Sequence, residues 1–199
     1  MYALPATVQG LGFYFPSLYL PKYAASPGAS WKSGAMLVAR LSATQMLGRI
    51  TYGWLSDVRL PLNLLLVLTG VASAVAPLTL WGLAKSNVSL ILFALIYGFF
   101  AHAFMAMRVR MGTAISSDQS TALAMFCIFS FLQGIGNVLA GPLGTALLDA
   151  PLRSKGYGKA QYGSMILFTG CTMAFGAASI AVLSYFRHSR AMRGLEQRR

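Results

Sequence analysis

Residues 62–84 read LNLLLVLTGVASAVAPLTLWGLA, without one charged side chain. A helix of this length, rising ~1.5 Å per residue, matches the roughly 30 Å hydrocarbon core of a bilayer. Working outward from this run, five more apolar segments emerge at 2–20, 34–56, 88–107, 121–148 and 162–186. Lipid offers no water to satisfy exposed backbone groups, so segments of this length are expected to be helical. The expected fold class is all-α: an integral membrane protein of about six transmembrane helices, with one unit over 1–186 and a basic tail over 187–199.

Composition agrees with this. Of 199 residues, 56% are hydrophobic and only 10% charged, against about 25% charged in a typical soluble domain. Mean hydropathy is +0.62. The acids are Asp57, Asp118, Asp149 and Glu196, so hydrolase or synthase chemistry has little to work with. No Gly-rich phosphate loop, metal-ligand cluster or nucleophile–base pair stands out, and neither cofactor nor metal is expected. The net charge of +12 does not form a nucleic-acid stripe; its cations sit in short gaps between apolar runs, as membrane proteins place them. Cys127 and Cys171 fall within apolar runs and are expected as buried thiols.

An even helix count places both termini on one side. That side collects Arg49, Arg59, Arg108, Arg110, Arg187, Arg190, Arg193, Arg198 and Arg199. The opposite side collects Lys22, Lys32, Lys85, Arg153, Lys155 and Lys159. The bias puts the termini, including the C-terminus, in the cytoplasm of a multi-pass protein, and the plasma membrane is the expected location. Asn87-Val88-Ser89 forms a sequon on the outer side; an unused one is the simpler reading.

The second segment carries the chemistry. Ser42, Gln45, Arg49, Tyr52 and Ser56 are spaced 3, 4, 3 and 4, which puts them on one helical face. A polar stripe in a membrane helix must face protein or water. Arg49 at its centre offers a fork of donors suited to a carboxylate, or else snorkels to the surface. Arg40 lies about half a turn round from Arg49 and nearer the outer end, where snorkelling is favoured. His102 could bind solute or relay a proton, although a satisfied interhelical histidine is the commoner case. Gln133 and Asn137 are one turn apart and expected to face protein. Gly136, Ala140 and Gly144 form a small-residue stripe for close helix approach, as do Gly170, Ala174 and Ala178. The segments 62–84 and 162–186 carry few polar groups and should be peripheral.

Two motifs then carry a resemblance. Gly48-Arg49-Ile50-Thr51-Tyr52-Gly53-Trp54-Leu55-Ser56-Asp57 resembles the loop motif between the second and third helices of each half of the major facilitator superfamily. Gly141-Pro142-Leu143-Gly144 resembles the Gly-Pro motif of the fifth helix of a half. Within the superfamily, Gly12-Phe13-Tyr14-Phe15-Pro16 and 97–104 resemble the seventh and tenth helices of monocarboxylate-transporter-like members, fungal-type ones in particular.

The resemblance implies a secondary transporter, not an enzyme, moving a small monocarboxylate or similar organic solute, with a small organic anion as the expected substrate, across the lipid bilayer. This chain would be its C-terminal six-helix half. It would need the missing N-terminal half or a second copy as partner. Solute binding would fall to Arg49, Gln45, Ser42 and Tyr52, with Tyr14, His102, Gln133 and Asn137 on the same wall. Gating would involve Gly48, Gly53, Asp57, Gly141 and Pro142. The family's eighth helix has an Asp four residues before its Arg; here that position is Gln45, which cannot titrate. The alternative is a truncated, non-transporting protein that associates with or regulates a carrier.

Overall fold

The computed structural model describes residues 3–24, 31–58, 60–84, 86–114, 118–150 and 161–196. All its regular elements among these residues are helical. Of the charges that set the expected orientation, Arg59, Lys85, Arg153, Lys155, Lys159, Arg198 and Arg199 lie outside the described residues, as do the side chains of Lys32, Arg187, Arg190 and Arg193.

The first rod is broken into α1 (Ala3–Phe13) and α2 (Phe15–Ala24). Pro16 has no N–H for the carbonyl of Gly12 and its ring crowds that carbonyl, so the helix parts at Tyr14. It resumes at once, with the Leu18 N–H donating to the Tyr14 carbonyl at 3.1 Å. The freed Phe13 carbonyl accepts from the Tyr97 hydroxyl at 3.1 Å. The second rod is α3 (Trp31–Asp57).

The third rod begins as α4 (Leu62–Ala76) and ends in a π turn over Pro77–Trp81. Pro77 again lacks a donor, and the ladder slips by one: the Gly82 N–H reaches the Pro77 carbonyl at 2.9 Å, five residues back. The few hydroxyls of α4 satisfy themselves. Thr69 donates to the Leu65 carbonyl at 2.9 Å and Ser73 to the Thr69 carbonyl at 2.6 Å.

The fourth rod is α5 (Asn87–Ala101), α6 (Ala103–Ala106) and α7 (Arg108–Thr113), joined at His102 and Met107. Both joints keep right-handed helical dihedrals. Sequence reading ends this segment at Met107; the helix carries on to Thr113 and takes Arg108 and Arg110 with it. The fifth and sixth rods are α8 (Gln119–Asp149) and α9 (Gly163–Glu196). The latter continues beyond 186, through most of the expected tail.

Asp118 caps α8. Its carboxylate accepts from the Ser120 hydroxyl at 2.5 Å and from the Thr121 N–H at 2.9 Å. These bonds, the Ser120 hydroxyl foremost, hold the carboxyl down at about 2. The cap's contribution is therefore complete above the ordinary carboxylate range and lost as pH falls through about 2. Backbone amide exchange at Thr121 should stay slow from neutral pH down to about pH 4 and quicken in Asp118→Ala throughout that range.

Packing follows the small residues. α1 lies against α8 and α9, α4 against α9, and α3 against α5. At the α1–α8 crossing, a Cβ on Gly136 would fall 2.5 Å from the Gly10 carbonyl carbon. Gly144 faces the Tyr19 ring, and Gly170 faces Leu78. The core on the Trp81 side stacks Trp81 on Phe93 at 5.2 Å and Phe93 on Tyr97 at 5.3 Å. A second cluster gathers Tyr52, Leu66, Phe104, Met107, Met111 and Phe129.

The outer surface is apolar. Leu64, Leu68, Val71 and Val75 expose one face of α4, and Val138 on α8 is 78% exposed. Among the described residues four rods are long and apolar enough to cross a membrane: Leu62–Trp81, Asn87–Thr113, Gln119–Asp149 and Gly163–Phe186. The other two differ for plain reasons. α1 and α2 are 11 and 10 residues long, while α3, with 27, carries the polar stripe and Arg40. Cys127 and Cys171 correct the expectation of buried thiols, because both are exposed. In a bilayer the apolar face is the outer one, so an apolar run does not imply an interior position.

Candidate functional site

The site assembles where the break in the first rod meets the lower part of the fourth. Phe13, at the end of α1, lays its ring 4.4 Å from the His102 ring, centroid to centroid. Tyr14 follows at the break, half-buried. His102 is 1% exposed, and its Nδ1 has no hydrogen-bond partner. Three residues on, the Met105 Sδ accepts from Arg49 Nη2 of α3 at 3.8 Å. Three residues further, Arg108 is 5% exposed and its Nη2 donates to the Oε1 of Gln133 on α8. One turn beyond Gln133 stands Asn137.

Five described elements thus converge: the end of α1, the break after it, α3, the α6–α7 stretch and α8. Arg49, Tyr14, His102, Gln133 and Asn137 are sequence candidates that line this region. Arg108 is the residue that sequence reasoning missed, having been assigned to a connecting loop.

The polar accounting is uneven. Arg108 Nε, Gln133 Nε2, His102 Nδ1 and Asn137 Oδ1 are all buried without a hydrogen-bond partner. Buried polar atoms are normally paired, and each orphan costs on the order of 1–3 kcal/mol. A fifth such atom, Trp81 Nε1, lies in the other core cluster, with Phe93 and Tyr97; the orphans on Arg108 and Gln133, which bond one another, mark a place poised for a further partner. The two guanidinium charges repel one another, and the charge of Arg49 also bears on His102.

The rest of the α3 stripe divides. Ser42 and Arg49 are exposed, Gln45 is half-buried, and Tyr52 and Ser56 are buried. Tyr52 packs against Phe99 at 5.7 Å and Phe100 at 6.1 Å, a packing position between α3 and α5. The Ser56 hydroxyl donates to the Gly53 carbonyl at 2.7 Å. Arg40 stands apart, beside a cavity of about 200 Å³ shared with Met36, Leu37, Asn87 and Ile91. Asn87 opens α5, and the Ser89 of its sequon is engaged in the helix cap formed by Ser86.

No family model matches the chain. Curated proteins do. An MFS-type transporter of Aspergillus fumigatus is 27% identical over 177 residues, covering 89% of this chain and 37% of that protein. Monocarboxylate transporter 12 of Homo sapiens is 27% identical over 183 residues, covering 88% of this chain and 32% of its own length. The chain is a homologue of major facilitator transporters. An aspyridones efflux protein of Emericella nidulans is a further such relative, 23% identical over 86% of this chain and 34% of its own length. The chain spans about a third of the length of the curated relatives it matches.

The two major facilitator motifs take different surroundings. Gly48 is pressed against the backbone of Phe99, so α3 and α5 touch there. Gly53 and Gly141 have open space where a Cβ would stand. Asp57 is exposed at the end of α3, and no side chain caps α4, whose N-cap is Pro61. Pro142 is exposed on α8, and its carbonyl accepts from the Thr145 hydroxyl at 2.8 Å.

Proposed function

We propose that this chain is the C-terminal six-helix half of a secondary transporter that carries a small organic carboxylate. Its partner is an N-terminal half or a second copy. Six rods separated by short gaps support the half-carrier reading, with the broken α1–α2 counted as one span and α3 as another. Transporters of this type bind solute near the bilayer midplane between halves and rock between two openings. The plasma membrane, with the C-terminus in the cytoplasm, completes the reading.

The observation that carries it is the convergence of Arg49, His102, Arg108 and Gln133, with four buried polar atoms left unpaired among His102, Arg108, Gln133 and Asn137. Arg49 stands on an uncovered face of α3, where a solute between halves would meet it. Its planar fork binds a carboxylate through two parallel hydrogen bonds. Gln45 and Tyr14 flank the path. Gly48, Gly53, Asp57, Gly141 and Pro142 are assigned to gating.

Lysine keeps the charge of Arg49 but not the fork. In cells or vesicles where the chain is paired with a complementary half, Arg49→Lys should weaken carboxylate uptake by about tenfold, corresponding to ~1.4 kcal/mol of lost binding. Uptake and affinity left unchanged by this substitution would remove the anion role of Arg49.

A further inference from the structure

Among the described residues the site holds two cations and no acid. Arg49 Nη2 rests on Met105 Sδ at 3.8 Å, and Met105 lies three residues from Arg108, so the two guanidiniums approach the same turn of the fourth rod from α3 and α7. The described carboxylates are elsewhere. Asp57 ends α3, Asp118 caps the start of α8, and Asp149 ends it. Among the described residues neither Arg49 nor Arg108 has a carboxylate partner; Arg108 has only the neutral carbonyl of Gln133.

A buried charge is normally paired with an opposite one, because desolvation without compensation is costly. Here the orphaned Arg108 Nε and Gln133 Nε2 are both donors that an anion's oxygens would satisfy. His102 Nδ1 accepts or donates according to its tautomer, whereas the orphaned Asn137 Oδ1 is an acceptor and calls for a donor instead. One carboxylate answers one guanidinium. It leaves the other, buried and six residues from His102, without a counter-charge.

We propose that the site takes a solute bearing two acidic groups, one held by Arg49 and the other by Arg108 together with Gln133. This rests on the organic-carboxylate reading above and narrows it from one acidic group to two. Arg49 on the open face meets the first group. Arg108, anchored by Gln133 on α8, fixes the second, so the distance between the two sets which diacids fit.

The test is equilibrium binding of radiolabelled succinate and butyrate, equal in carbon number, to the full chain paired with a complementary half in lipid nanodiscs at neutral pH. Succinate should bind at least about tenfold more tightly than butyrate. Arg108→Gln should collapse the succinate preference, bringing the ratio of the two affinities to within about twofold of one. Arg108→Lys should keep most of the preference. Equal affinity for the two anions in the unsubstituted chain overturns the proposal but leaves the carboxylate site standing, as does a preference that survives Arg108→Gln. Such a result would place the counter-charge for Arg108 on a neighbouring half. Binding of neither anion overturns both readings. The unsubstituted ratio decides the matter even where a variant fails to fold.

Discussion

Gly136→Ala should loosen the contact between α1 and α8 at a cost of about 2–3 kcal/mol, the scale of overpacking a close contact. The added Cβ would lie 2.5 Å from the Gly10 carbonyl carbon and 2.8 Å from the Leu11 nitrogen. Both are backbone atoms, so no side chain can swing away and the helices themselves must part. Gly134, on the same helix, has nothing within 4 Å of its Cβ position. Gly134→Ala should be neutral or stabilising by up to ~1 kcal/mol through helix propensity. Thermal unfolding of the two variants in detergent, followed by circular dichroism, separates a packing requirement from a general effect of alanine. The consequence reaches the site, because Gln133 lies one turn before Gly136 and its register against Arg108 depends on this crossing.

Gln133→Leu should cost about 3 kcal/mol, since it leaves the buried Arg108 guanidinium without its acceptor. Leucine fits the volume, so the loss would come from the polar group and not from a cavity. Gln133→Glu should behave differently. It supplies the missing counter-charge, keeps the acceptor and should restore most of the stability lost in Gln133→Leu. The same carboxylate would occupy the place proposed for the solute, so anion binding should fall by at least about tenfold. Unfolding midpoints and labelled-anion binding measured on the two variants check both halves of this statement. Equal midpoints for the two would show that the Arg108–Gln133 bond contributes little.

Much of the fold is legible in the sequence because lipid enforces it. Uncharged runs such as 62–84 mark helices, and the Gly136–Ala140–Gly144 stripe announces a close crossing because only small residues allow one. The break at Tyr14 follows from Pro16, and the π turn from Pro77. Arg108 was hidden by its own charge. Next to Arg110 it looks like the start of a cytoplasmic loop, and its acceptor is 25 residues away on another helix. A signal was present: Met107 and Met111, both buried, continue the helical period across it. Cys127 and Cys171 show the opposite error, in which apolar surroundings suggest an interior position that a bilayer does not require. The α3 stripe marked the right helix but could not say that Tyr52 turns into the packing while Arg49 stays open. That division depends on where α5 lies.

The central claim is that Arg49 stands in a water-filled solute path within the membrane. The direct measurement places a cysteine at Gln45, one turn before Arg49, in a chain whose Cys127 and Cys171 are alanine, paired with a complementary half in vesicles. The account predicts that a water-soluble, membrane-impermeant thiol reagent labels Gln45→Cys and that added organic carboxylate slows the labelling. A cysteine that stays unreactive, or one labelled at the same rate with and without the anion, would contradict it.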